Sequence, residues 1–405
     1  MRNLADHDSF TDGVPHATFA QMRAEAPLHW TEAFAGNKGF WSLTRHADIL
    51  AANRDPATFS SAQGIRIEDQ TREEYLARRT FQETDPPEHF ATRRIVQGAF
   101  AKPVIARFEG VVRELARDIV ARAVAQGTGD GVAMIAKELP MKMLGRILGV
   151  PDADLDWLVE KGDALIGNTD PDFTDTVLDK VDTSAYAMMP FRSPAGVELY
   201  DYADAILDGA KPVTDDGILR CVLDAEGALD RLAFKNFFCL LVAAGNDTTR
   251  YSIAMALYLL ARDPALFDAV RSGQYFDTAG DEFIRLASPT LHFRRTATRD
   301  IDLHGQTIRE GDKVLLWFVS GNRDAEVFDQ PDTPILDRPS NRNLAFGQGG
   351  PHVCLGMWLA RLELRVVLEE LSRQAKALTL LDEPAWTRSN FICGVKSLPI
   401  RITAP

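Results

Sequence analysis

The chain has 405 residues and a formal net charge of −13, with 45% hydrophobic and 25% charged residues. That composition is ordinary for a globular protein and the length is ample for a large core. The acidic balance argues against a nucleic-acid binder, which needs a basic face.

The first fifteen residues are polar and charged. The longest apolar run, near 237–245, falls far short of the roughly 18 residues of a membrane span. No leader and no membrane anchor are expected. Four cysteines, Cys221, Cys239, Cys354 and Cys393, show neither CxxC nor zinc-like spacing. Such scattered thiols fit a reducing cytoplasm.

In chain order, residues 39–44 carry strand character. Residues 104–126 have apolar positions at three-to-four spacing and are stopped by the glycines of 127–131. A second amphipathic helix, 134–148, is closed by 149–151, and a third spans 152–167 with an acidic first turn that suits the helix dipole. Residues 229–261 form the longest candidate, free of proline until Pro264 and about 50 Å long at 1.5 Å per residue. Apolar on several faces, it should cross the middle of the molecule. Short strands are predicted at 296–301, 306–308 and 313–318, a helix at 355–374, and short strands and turns over 378–402. No linker or repeat divides the chain. The expectation is one mainly α domain over 1–405 with a smaller β region.

Chemistry concentrates in residues 346–356 (FGQGGPHVCLG). Glycines let the backbone turn sharply and approach a flat cofactor. The loop delivers Cys354 to the start of a helix, where backbone N–H groups and the dipole favour a thiolate. A lone polarised thiolate is what an axial heme ligand requires. The loop resembles the heme-ligand signature of cytochromes P450, Phe-x-x-Gly-x-(His/Arg)-x-Cys-x-Gly. Anchored on Cys354, the residues Gly350, His352 and Gly356 match. Phe346 sits one residue early, so 349–351 reads as a single-residue insertion.

Three further segments agree with that resemblance, in the family's order. Residues 244–249 (AGNDTT) match its oxygen-activation motif. Thr248 can bond back to the carbonyl of Ala244 and loosen the helix, and Asp247 can relay protons from solvent. Glu282 and Arg285 share a helix face; in the family this pair is structural and a later arginine completes it, for which Arg338 is the candidate. Residues 85–93 (DPPEHFATR) place His89 and Arg93 on one face at i and i+4.

The resemblance covers about 28–401. It implies the triangular, mostly helical P450 fold, with heme b (iron protoporphyrin IX) between the long helix and the cysteine-bearing helix, near Ala244, Phe346, Gly347 and Gly356. It implies Cys354 as the iron ligand, and His89, Arg93, Arg295 and His352 as partners of the heme propionates. Strand alternation lets only one of Arg294 and Arg295 reach the heme. The implied reaction inserts one oxygen atom of O2 into a C–H bond or across a C=C bond, with Asp247 and Thr248 steering protons. No flavin or iron–sulfur segment is present, so electrons come from a separate partner, by resemblance a ferredoxin with its NAD(P)H-dependent ferredoxin reductase. Arg342, Arg361 and Arg365 are candidate docking residues, and the chain is expected to be a monomer.

The family's substrate regions map onto Ile65, Ile67, Leu241, Ala244, Leu291 and Phe391, all apolar, which favours a small hydrophobic substrate. Residues 292–298 (HFRRTAT) and 319–324 (VSGNRD) resemble those of family members that act on terpenes, alkanes or sterol side chains, which implies a substrate of that kind; a small aromatic acid stays open. Two other readings stay open as well: a peroxide-driven or non-oxygenating heme-thiolate enzyme, and a non-enzymatic heme protein that binds a ligand.

Overall fold

A computed structural model describes residues 1–225 and 229–405. Its axis is the helix Arg231–Arg262, hereafter the central helix. The Asp230 carboxylate accepts from the N–H of Ala233 and caps its start. Its end falls just before Pro264, which opens the next helix. Helices Glu138–Leu148, Leu155–Ile166, Pro194–Leu207 and Phe276–Ala287 pack around it. Most of its residues are buried on all sides, as the absence of one polar face in the sequence requires.

The cysteine-bearing helix is Met357–Gln374, two residues shorter at its start than the sequence suggests. It lies against Glu109–Gln126 and Phe276–Ala287. The largest apolar cluster runs through these helices and draws residues from Val96 to Ile402.

The main sheet has five strands in the spatial order Leu28–Thr31, Phe40–Leu43, Lys313–Trp317, His292–Ala297 and Phe59–Ser60. Only the pairing of Phe40–Leu43 with Lys313–Trp317 is parallel. Lys313–Trp317 is buried along its whole length, matching its continuous apolar run.

Some boundaries differ from expectation. Residues 296–301 are not one strand: His292–Ala297 belongs to the sheet, and Ile301–Leu303 forms a separate hairpin with Gln306–Ile308. Gly127, at φ +75°, does end the preceding helix, but Thr128–Asp130 then pairs with Pro399–Thr403. Residues 104–108 are not part of the long helix that follows; they divide into Lys102–Ile105 and a 3-10 turn, Ala106–Phe108. The architecture is otherwise the expected one, mainly α with a smaller β region. No helix among the described residues is long and apolar enough to cross a membrane.

Candidate active site

The cysteine loop folds as its glycines dictate. Gly347 and Gly349 adopt φ of +66° and +108°, values that side chains resist. A Cβ on Gly350 would lie 1.8 Å from the carbonyl oxygen of Asn53. The inserted residue is therefore absorbed by glycines pressed against the helix His46–Arg54. The Asn53 side chain donates to the carbonyl of Gln348 at 3.1 Å and pins the loop. Beyond it, Cys354 N–H donates to the carbonyl of Phe346 at 2.9 Å.

Cys354 sits deep in the fold, yet its side chain opens onto a cavity that is also lined by Ala244 and Thr248 of the central helix. Burial pushes the thiol pKa up. The backbone N–H groups of Gly356 and Met357 and the guanidiniums of Arg93 and Arg361 pull it down. Phe346, Gly347, His352 and Gly356 line the same cavity.

On the opposite wall the central helix runs unbroken, and two hydroxyls bond back to its carbonyls. The Thr248 hydroxyl donates to the Ala244 carbonyl at 3.0 Å, and Ser252 repeats the bond to Thr248 O at 2.9 Å. The second back-bond was not anticipated; the i, i+4 spacing of Thr248 and Ser252 was its signal. Asp247, which also lines the cavity, lies 2.6 Å from Arg250. Arg250 also donates to Asp163 at 2.7 Å, as does Asn246, and Lys137 reaches the other oxygen of Asp163 at 2.9 Å. Burial pushes the Asp247 pKa up to about 8, against the pull of Arg250 and with the like charge of Asp163 adding to it.

His89 and Arg93 share a face of the helix Glu88–Val96. His89 bridges the carbonyls of Phe81 and Pro351 at 2.9 and 3.0 Å, and Arg93 donates to the carbonyl of Val353 at 2.6 Å. The rings of His89 and His352 are 4.1 Å apart. Burial, with Arg295, His89 and Arg93 nearby, holds the His352 pKa far below its usual value. Arg294 and Arg295 do part as strand alternation demands. Arg294 turns to Asp69 and the carbonyl of Glu68, whereas Arg295 lies beside His352 rather than on the cavity wall itself. Among the described residues neither Arg93 nor Arg295 has a carboxylate within 4.0 Å.

The Glu282 carboxylate is buried and accepts from Arg285 at 2.7 and 2.8 Å, from Arg338 at 3.0 and 3.1 Å, and from Asn341 at 3.1 Å. Arg285 and Arg338 also hold the carbonyls of Asn322, Pro331 and Asp329. This junction ties the chain leading into the cysteine loop to the helix Phe276–Ala287.

Ile65, Leu241, Ala244 and Phe391 line the cavity, but Ile67 and Leu291 do not. Both pack in a separate cluster with Phe10, Phe19 and Trp317. Their apolar character is spent on the core beneath the sheet; residue type alone does not tell which way a loop residue turns. Arg66 and Arg78 also line the cavity, within the loop 60–82 that the resemblance assigns to the pocket; Phe191 and Arg192 line it and were not foreseen. Their segments, far apart in sequence, meet only in the fold. Of the candidate docking residues, Arg361 is tied to Asp281 at 2.7 Å, and Arg365 to Glu109 and Glu369 at 3.0 and 2.9 Å.

Comparison with known proteins agrees with this geometry. The family profile described as Cytochrome P450 matches residues 215–374. The methyl-branched lipid omega-hydroxylase of Mycobacterium tuberculosis is 36% identical over 98% of this chain and 92% of its own length. The chain belongs to the cytochrome P450 family. A second relative, the linalool 8-monooxygenase of Pseudomonas putida, is 32% identical over 98% of both chains. The solved structure of a Mycobacterium marinum cytochrome P450 in complex with pseudoionone superposes with a TM-score of 0.86 at 32% identity, covering 95% of this chain and 94% of that one. As a P450 the protein is a heme-thiolate monooxygenase, an oxidoreductase that uses O2, an organic substrate and a redox partner. The residues present suit heme: of the two cysteines that line the cavity, Cys354 has an exposed side chain while Cys239 is buried, and the half-buried Arg93 and buried Arg295 have no acidic partner within 4.0 Å among the described residues, which suits two propionates.

Proposed function

We propose that this P450 oxidises a hydrophobic small molecule on a heme b whose axial ligand is the thiolate of Cys354. One observation carries the reading: Cys354 and the turn in which Thr248 bonds back to Ala244 line one largely apolar cavity. When bound, the heme supplies reductive activation of dioxygen, with one atom entering the substrate and the other leaving as water.

The protein's part is position, protons and dryness. Arg93, Arg295, His89 and His352 hold the propionate edge. Gly347 and Gly356 keep the backbone close to the cofactor, and Phe346 closes the cavity beside the cysteine loop. Thr248 holds a proton donor over the groove left by its bond to Ala244, and Asp247 relays protons to it from the Arg250–Asp163–Lys137 cluster. Glu282, Arg285 and Arg338 keep the cysteine loop in register. Ile65, Leu241, Ala244 and Phe391 contact the substrate and exclude water. The names of the two relatives, a lipid hydroxylase and a terpene monooxygenase, support an apolar substrate of terpene, alkane or sterol-like character. Electrons arrive from a ferredoxin and its reductase, and the unpaired cysteines suit the cytoplasm. The whole chain acts as one domain.

The test is turnover of linalool, as probe, by heme-loaded protein with NADH, a ferredoxin and its reductase under labelled dioxygen. One labelled atom in the product and one in water is the expected result. Equal turnover with hydrogen peroxide alone would favour a peroxide-driven enzyme. Binding without NADH consumption under any redox partner would favour a ligand-binding heme protein.

A further inference from the structure

Among the described residues four arginines line the cavity wall, Arg66, Arg78, Arg93 and Arg192. Two of them have acidic partners. Arg66 lies 3.2 Å from Glu68 and over the rings of Phe191 and Phe391. Arg192 lies 3.2 Å from Glu74. Arg93 belongs with the groups placed at the heme edge above. Arg78 remains. Among the described residues it has no carboxylate within 4.0 Å, and its hydrogen bonds go to the neutral amide oxygen of Gln70, at 3.2 Å from Nε and 3.0 Å from Nη2. Burial lowers its pKa, and the neighbouring charges of Arg66 and Arg192 add to that pull against Glu74 and Glu83. A largely buried guanidinium held only by a neutral acceptor is costly until an anion meets it.

The acids nearby are already engaged. Glu74 accepts from the N–H of Thr71 in a helix cap as well as pairing with Arg192, and Glu83 accepts from the N–H of Thr80, with burial raising its pKa. The position of Arg78 is fixed as well. The carbonyl of its neighbour Ala77 accepts from the Asn236 side chain at 3.1 Å, so Arg78 sits beside the early turns of the central helix. Eight residues separate Asn236 from Ala244, about 12 Å at the helical rise. The wall over that stretch carries Leu240 and Leu241, with Phe81 facing them.

We propose that Arg78 anchors the anionic head group of the substrate, which is a hydrophobic carboxylic acid oxidised at carbons remote from its carboxylate. The proposal rests on the heme-thiolate reading above. An acid held at Arg78 lays its apolar body along Leu240 and Leu241 and presents its far end at Ala244 and Thr248.

The experiment follows the ferric spin-state change of heme-loaded protein during titration with a series from octanoic to hexadecanoic acid and with the matching methyl esters, alongside R78Q and R78K. The best acid is expected to bind about ten- to a hundredfold more tightly than its ester. R78Q should lose that preference with ester affinity and heme retention unchanged, and R78K should keep part of it. Equal affinity of acids and esters, absence of acid binding, or an acid preference that survives in R78Q would overturn the proposal. So would loss of heme from R78Q as fast as from R93Q, which would make Arg78 a propionate partner. The carbon monoxide spectrum of the same preparations reports the thiolate independently. Equal affinity of acids and esters in the unaltered protein, with that spectrum intact, therefore counts against Arg78 alone.

Discussion

Asp163 and Asp247, two buried carboxylates 84 positions apart in the sequence, share the guanidinium of Arg250, which donates to the first at 2.7 Å and lies 2.6 Å from the second. For Asp247 to move protons towards Thr248 it must let go of Arg250, and Asp163 is the competitor that allows this. Asp163→Asn leaves Arg250 committed to Asp247. Turnover should fall about tenfold, with a larger solvent deuterium isotope effect and unchanged substrate affinity. The sign of the pH effect follows from the charges. The Asp163 charge helps hold the Asp247 pKa up, so its removal lets Asp247 ionise at lower pH. The acidic limb of the kcat/KM profile should shift downward. An unchanged limb together with an unchanged isotope effect would count against the relay.

Thr248 spends its hydroxyl proton on the Ala244 carbonyl and leaves its oxygen free to accept. Thr248→Ala should retain heme and substrate binding. It should lower the yield of product per NADH by about tenfold or more, with hydrogen peroxide appearing in its place. Simultaneous assay of NADH, peroxide and product checks this.

The sequence made local chemistry legible. Thr248 and Ala244, Glu282 and Arg285, and His89 and Arg93 are pairs three or four residues apart, so a helix alone brings each together. The long helix and the cysteine loop were readable for the same reason, from proline absence and glycine placement. Arg338 was reachable only through the family pattern. What stayed hidden depends on long-range packing. Nothing near Arg250 announces Asp163, and nothing near Arg78 announces Gln70 and Asn236 as its surroundings. Ile67 and Leu291 show the same limit from the other side: being apolar qualified them for the cavity and for the core alike, and the fold sent them to the core.

Glu282 is the only carboxylate facing both Arg285 and Arg338 within 4.0 Å among the described residues. Glu282→Gln leaves two buried guanidiniums without a counter-charge. The expected loss is about 3–5 kcal/mol of stability, with reduced heme content. Thermal unfolding and the heme-to-protein ratio measure both.

Glu363, on the cysteine-bearing helix, is 1% exposed, and neither side-chain oxygen has a partner among the described residues. Burial alone pushes its pKa from 4.5 up to about 8. The folded protein therefore keeps a proton that the unfolded chain has lost between those values. Stability should fall as pH rises through that window, by an amount on the order of a few kcal/mol. Glu363→Gln removes the titration and should flatten the slope, leaving the variant more stable than the parent at pH 8. Denaturation midpoints measured at several pH values across the window decide it; parallel slopes for the two proteins would contradict the assignment.

The central claim is that Cys354 holds heme iron as a thiolate. The absorption spectrum of dithionite-reduced protein under carbon monoxide tests it most directly. The account predicts the red-shifted Soret band of thiolate-ligated heme in the wild type and its loss in Cys354→Ala. A band at the ordinary heme position in freshly prepared wild type, or a red-shifted band that survives in Cys354→Ala, would contradict it.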